Sequence, residues 1–460
     1  MDILEAITPI DGRYKEKLSG IENYFSEYAL IKERIRVEIE YLIKLVEEVE
    51  KERLNRLPKD WKETLRKIHE EFNLEDAKRV KEIEKNVGHD VFAVVKFIAE
   101  RLESLGLNEL KSLVHLGLTS DDINNIAYSS LLKRFNREVF IPSLIKLLDK
   151  IVSLSMEYKD TIMLARTHGM PAVPTTFGRF LINYAYRIAI VLEELYNTKF
   201  YGKIGGAVGD FNALKFLYPT VDWISFAKHF IESQGLEYFP ANTQILPHDK
   251  ISDYLSKVAL IASILSNLCR DLWMLNMLRY ISFTFSKSEV HSSTMPHKVN
   301  PLLIENAEGC FDLSSEILAY MNRRLISIRL HRDLSDSVIK RFYGLPLSLI
   351  YLGITNLISA FEKMLVNKEA MYIDVRNHPE TLSELYQLYL KKIGFFDAYE
   401  TIQKLTREKP EKILEEIKKL IPKEKFVEIE KLTVLEYSGE AQRIVELLAK
   451  EIESLKKKFL

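Results

Sequence analysis

Between Ser286 and Pro301 the chain reads Ser-Lys-Ser-Glu-Val-His-Ser-Ser-Thr-Met-Pro-His-Lys-Val-Asn-Pro. Ser292, Ser293, Thr294, His297 and Lys298 set three hydroxyls, an imidazole and an ammonium within seven positions. Such a set can move protons and grip carboxylates. An imidazole titrates near neutrality, and hydrogen bonds to a charged partner are the strong ones. A stretch this polar cannot bury itself without partners. It reads either as a solvated connector or as a binding loop whose partners arrive with a ligand, and loops of this length lean towards function. Asn300-Pro301 is also a good helix start, with Asn as N-cap and Pro at the first helical position. That accounts for two residues and not for the hydroxyl triplet.

Other clusters have two readings each. Thr119 or Ser120 caps a helix whose first turn carries Asp121 and Asp122, and the same free N–H groups and hydroxyls can hold a carboxylate or phosphate. In Ala165-Arg166-Thr167-His168-Gly169-Met170-Pro171, Gly169 and Pro171 end regular structure at His168, between two long apolar helices. His168 is then a bystander at a helix break, or an acid or base. Ser337 and Arg341 share a face if their segment is helical, which suits a phosphate; a solvated helix start is the other reading. Arg13 and Tyr14 follow the turn pair Asp11-Gly12, as surface residues or as donors to a ligand. Gly88 reads as a break, His89 as a cap or solvated side chain, and Asp90 as an acid in a first helical turn. The glycine-rich run from Gly202 to Asp210 matches neither phosphate-loop spacing and has no βαβ context, so it reads as a tight bend.

The elements that must position these groups are helices. Ile31, Ile35, Ile39, Leu42, Val46 and Val49 step by three or four, an amphipathic helix that should end by Pro58. Further helices are expected around 60–72, 75–85 and 90–104, from Pro142 to about Lys159, and from Leu302 to Leu318. The run from Val258 to Phe285 is apolar around most of its circumference and should lie in the middle of a bundle, with the polar loop at its end. Strand signals are nearly absent, so the fold class is all-α with a long central helical bundle. From about Asn367 Lys and Glu dominate, and Pro410 and Pro422 shorten the helices. The expected domains are 1–111, 112–365 with the 286–301 loop, and a smaller helical 366–460.

Composition agrees. Glycine and proline number only 17 and 14 in 460 residues, so elements are long, and 47% hydrophobic content supplies a large core. With 65 basic against 66 acidic residues, there is no electrostatic case for nucleic acid or a membrane surface. Cys269 and Cys310 read as buried thiols, too few for a disulfide framework or zinc site. The N-terminus lacks signal-peptide features. Arg270, Asp271 and Arg279 break the longest apolar run, which should fall short of the ~20 residues of a span. A soluble, cytoplasmic protein is expected.

The loop Ser292-Ser293-Thr294-Met295-Pro296-His297-Lys298-Val299-Asn300-Pro301 resembles the signature of the fumarase/aspartase superfamily. Within it, Pro9 to Tyr14, Thr119 to Asn125, Ala165 to Gly169 and Arg332 to Ser337 resemble, in order, the motifs of the adenylosuccinate lyase family. The likeness runs from about residue 7 to the C-terminus and is weakest after 365. It is to the bacterial type with Asn-His-Asp before the second motif; here the triplet is Gly88-His89-Asp90.

The resemblance implies a three-domain helical homotetramer with active sites shared between subunits, acting on adenylosuccinate and on the succinyl-carboxamide ribotide SAICAR without metal or organic cofactor. It assigns the base to Ser292, and His168 fits the general acid. Thr119 and Ser120 would hold a succinyl carboxylate. Ser293, Lys298, Val299 and Asn300 would serve the loop's grip on substrate. Arg13, Tyr14, His89, Asp90, Ser337 and Arg341 would serve the nucleotide, and Gln244, Asn306 and Arg332 would orient the rest. Superfamily relatives acting on argininosuccinate, malate or aspartate are the alternative, and lack the need for a phosphate grip.

Overall fold

The structure, a computed structural model, describes residues 3–284, 295, 298–408, 413–421 and 433–459. Ser292, Ser293, Thr294 and His297 lie outside the described residues. The chain forms two compact units. One comprises Met1–Ser143, Glu194–Ser263 and Cys310–Gly353; the other comprises Leu144–Glu193, Ile264–Gly309 and Ile354–Leu460.

Helix Glu27–Glu48 is the hub of the first unit. Ser26 caps it, accepting the Ala29 N–H at 3.1 Å. Ile35, Ile39, Leu42 and Val46 are buried as their spacing requires, and so are Glu33, Arg34 and Glu38, so more than one face is enclosed. The helix ends at Glu48, ahead of the expected stop at Pro58. The cause is tertiary. The Glu50 carboxylate accepts from Tyr218 at 2.5 Å and Arg53 at 2.8 Å, and Arg53 also donates to the Glu109 carbonyl at 2.7 Å. Helices Trp61–Glu70, Leu74–Val87 and Asp90–Ser104 stand close to their expected places. Gly88 takes φ 68° as a left-handed cap. His89 caps the next helix, its Nδ1 accepting the Phe92 N–H at 3.2 Å.

The second unit corrects the expectation at His168. Ile162–Thr167 (β1) pairs antiparallel with Met170–Thr176 (β2), and His168-Gly169 is the turn between paired Thr167 and Met170. His168 has φ 55° and Gly169 φ 79°. Two central residues with positive φ mark a type I′ turn, whose twist matches the strands it joins. Pro171 and Pro174 in β2 hid the hairpin, because proline within a run argues against a strand. Leu164 of β1 packs with Val375, Leu390, Ile402 and Ile417 in the core of the C-terminal helices. The described strands form three two-stranded sheets, and helices carry the fold.

Helix Asp249–Met277 stops short of Phe285. Arg279 turns the chain at φ 61°, and Ile281–Phe283 pairs with Met364–Val366. Tyr254, Val258, Ile261, Leu265 and Leu268 are fully buried, but Leu260, Trp273, Met274 and Met277 are exposed, so within this chain one face stays open. The stretches Asp249–Met277 and Ser335–Lys363 are long and apolar enough to cross a membrane by length and composition, contrary to expectation. The charges at Arg270 and Asp271 fall late in the first of them. In both, more than half of the apolar window is buried, 56% and 72%, as in core helices. The following helix begins at Leu302, with the Pro301 carbonyl accepting from Ile304 and Glu305. Its cap is thus one residue later than expected. Cys269 and Cys310 are buried thiols, as expected.

Candidate active site

In the first unit the site grows from the start of helix Ser120–Phe135. The Asp122 carboxylate closes a capping box on the Thr119 N–H at 2.9 Å. It also accepts the N–H groups of Gly205 and Gly206, at 3.1 and 2.9 Å, and the Lys203 ammonium at 2.7 Å. Gly206 has φ 74°, and a Cβ there would lie 2.8 Å from the Gly117 carbonyl oxygen. The glycine-rich run is the tight bend expected, and beyond that expectation it cradles an oxyanion, a side chain of the same chain. Asp121 accepts from the Leu246 N–H at 3.2 Å and from Lys340 at 3.3 Å. Lys340 pairs with Asp336 at 2.7 Å, and Asp336 with His248 at 3.2 Å. Asp121, Asp122, Lys203, His248, Asp336 and Lys340 are all buried. Burial alone would raise the Asp121 carboxyl, but Lys340 and Lys203 outweigh it and hold it down. Against the same burial, His248 and Lys340 hold Asp336 far below the usual carboxylate range.

These bonds gather residues that are far apart in sequence. Thr119 and Ser120 stand at the helix start that Asp121 and Asp122 anchor, and Ser337 and Arg341 flank Lys340. Gln244 donates to the Ala207 carbonyl at 2.9 Å and accepts from Arg332 at 3.2 Å, so two expected site residues touch. Asp90 is gripped by Arg34 at 2.9 Å and Arg341 at 2.7 Å. Burial opposes ionisation of Asp90, but Arg34, the Val91 N–H and Arg341 lower its pKa to about 2. Its carboxylate is thus occupied in aiming Arg341. Arg341 also lines a cavity of about 260 Å3 with Thr8, Asp11 and Lys15, chain neighbours of the exposed Arg13 and half-buried Tyr14. His89 is exposed.

One pair here gave no signal in the sequence. His115, at φ 61°, meets the fully buried Glu38 at 2.6 Å, four residues before Thr119. Burial would lower the His115 pKa, but the Glu38 carboxylate raises it further. A raised folded-state pKa means that the pair's contribution is complete below the unfolded value, about 6.5, and is lost as pH rises through the folded value. Melting temperatures of the wild type and His115→Gln should therefore differ most near pH 6 and converge as pH rises through the raised folded-state pKa. A difference that stays constant over that range, in differential scanning calorimetry, would refute the pairing.

The second unit carries His168, Lys298, Val299, Asn300 and Asn306. His168 is exposed at the hairpin tip. The hairpin is tied down at Arg166, which donates to Asp374 at 2.6 Å and to the Tyr280 hydroxyl at 3.1 Å. Tyr280 itself donates to Asp374. Burial opposes it, but Tyr280 and Arg166 lower the Asp374 pKa. The Lys298 and Val299 side chains are exposed, and Asn300 is half-buried. Asn306 accepts from Asn356 at 2.6 Å. Lys203, inside the glycine-rich run, and Asp374 and Tyr280, in unremarkable segments, also escaped sequence reading: each acquires its role from a distant partner.

A family model described as Lyase matches residues 12–311, and one described as Adenylosuccinate lyase C-terminal matches 328–438. The adenylosuccinate lyase of Buchnera aphidicola subsp. Baizongia pistaciae is 37% identical over 451 residues, 96% of this chain and 97% of that one. That of Haemophilus influenzae is 35% identical over 454 residues, 98% of this chain and 100% of its own. The solved structure of a fumarate lyase from Mesorhizobium sp. BNC1 superposes with a TM-score of 0.77 over 94% of this chain and 97% of that one, at 16% identity, a likeness of fold alone. By full-length identity and by both family models, this chain belongs to the adenylosuccinate lyase family.

Proposed function

We propose that this protein is an adenylosuccinate lyase, a C–N lyase of purine nucleotide synthesis. It releases fumarate from adenylosuccinate to leave AMP, and from SAICAR to leave AICAR. The observation that carries this reading is identity to adenylosuccinate lyases along nearly the whole chain. A proton leaves the carbon beside a carboxylate, and nitrogen leaves the neighbouring carbon. The first step builds a doubly charged aci-carboxylate, which fixed positive charge and aimed N–H donors stabilise. Lys298, Asn300 and the helix start at Leu302 suit that task. Ser292 is the base, in a loop that excludes water as it acts, and His168 protonates the departing nitrogen. Thr119 and Ser120 hold a succinyl carboxylate. Arg13, Tyr14, His89, Ser337 and Arg341 hold the phosphate and ribose, with Asp90 aiming Arg341. Ser293 and Val299 complete the loop's grip. Gln244, Asn306 and Arg332 orient what remains.

The reading includes a cytoplasmic homotetramer of three-domain subunits, with sites completed between chains. The open apolar face at Leu260, Trp273, Met274 and Met277 supports that assembly. The test is direct. Purified protein should convert adenylosuccinate to AMP and fumarate, seen as a fall in purine absorbance. Turnover of argininosuccinate with none of adenylosuccinate would overturn the reading.

A further inference from the structure

We infer that Lys203 is a positioning residue: its buried ammonium locks the helix start at Thr119-Ser120 to Gln244 and so sets how the substrate's carboxylates are held. The inference rests on the substrate-holding roles proposed for Thr119, Ser120 and Gln244. Lys203 has no exposed surface, so any part it plays in binding runs through other groups. Its ammonium has two partners, the Asp122 carboxylate at 2.7 Å and the Gln244 carbonyl. Asp122 in turn takes the N–H groups of Thr119, Gly205 and Gly206. One ammonium thus joins a helix start, a glycine bend and the Gln244 backbone, whose side chain is aimed between the Ala207 carbonyl and Arg332. The backbone of Lys203 is strapped to the same helix. Asn125, itself buried, accepts the Lys203 N–H at 2.9 Å and donates to its carbonyl at 3.0 Å.

Stability alone does not explain this arrangement. Taking both ions out of water costs several kcal/mol each, and an apolar pair of the same volume is often as stable or more so. An apolar pair could not orient a carbonyl and three N–H groups at once. Fixing the register of three segments is what the charge adds.

Succinate and AMP, as inhibitors of the full-length enzyme, probe the two halves of the site separately. Lys203→Met removes the charge at near-constant shape but leaves Asp122 unpaired. Should that variant fail to accumulate, Lys203→Met with Asp122→Asn carries the same measurement, since the amide oxygen still accepts from Thr119. The inhibition constant for succinate should rise about tenfold or more, the loss expected when hydrogen bonds to a charged ligand are misaligned. That for AMP should stay within about threefold. The KM for adenylosuccinate should follow succinate, with kcat less affected. Parallel weakening of both inhibitors, as general loosening would give, overturns the inference, and so does no change in either. If the wild type is inhibited by neither ligand, the substrate reading itself falls and takes the inference with it.

Discussion

Replacement of His168 by asparagine should lower kcat by about two to four orders of magnitude, the usual worth of a positioned general acid, while the protein melts no lower than the wild type. The two halves of that expectation come from one geometric fact. His168 and Gly169 form a two-residue turn with φ 55° and 79°. Positive φ is unfavourable for most residues, and Asn-Gly is the pair this turn prefers. Asparagine therefore keeps or improves the hairpin, and removes only the imidazole. A histidine held where asparagine fits better is the kind of local conflict that functional sites tolerate. The measurement is kcat and melting temperature on the same preparation. Full activity in His168→Asn would remove His168 from the chemistry, and a large fall in melting temperature would show a structural role instead.

Lys340→Met should be strongly destabilising, by about 3–5 kcal/mol. Lys340 is 4% exposed and pairs with Asp336 at 2.7 Å and Asp121 at 3.3 Å. Burial would lower its pKa, and those two carboxylates more than reverse that. Without the ammonium, Asp336 keeps only His248, and Asp121 keeps the Leu246 N–H, both out of reach of water. The fall in melting temperature should be on the order of 10 °C for a chain with units of this size. Lys78→Met is the control. Its partner Glu75 is 79% exposed at the side chain, and pairs of that kind contribute about 0–1 kcal/mol. Equal shifts in the two variants would show that the cluster does not behave as a dry ion network.

Much of this was legible because some chemistry is written locally. The stripe of Ile35, Ile39, Leu42 and Val46 gave the hub helix, and Gly88-His89-Asp90 gave a break, with a cap as one of two readings of His89. Thr119 to Asp122 gave a helix start with acids in its first turn. What the sequence hid depends on partners far along the chain. Lys203 lies 81 residues from Asp122, and Arg166 lies 208 from Asp374. The hub helix ends where Tyr218 and Arg53 engage Glu50, and no propensity anticipates that. The hairpin at His168 was missed for a different reason. Its turn uses His-Gly where Asn-Gly is the recognisable signal, and prolines interrupt its second strand.

The segment layout has a bearing on synthesis. Each compact unit is stitched from three separated stretches, and the first needs Cys310–Gly353 to be complete. Asp121 meets Lys340 across 219 residues. At typical translation rates that gap lasts on the order of ten seconds or more. Through that interval the nascent chain presents unpaired acids and uncovered apolar helices at the ribosome exit. Neither half can be released early as a finished piece, so truncated or stalled chains would be substrates for chaperones and proteases rather than small stable domains.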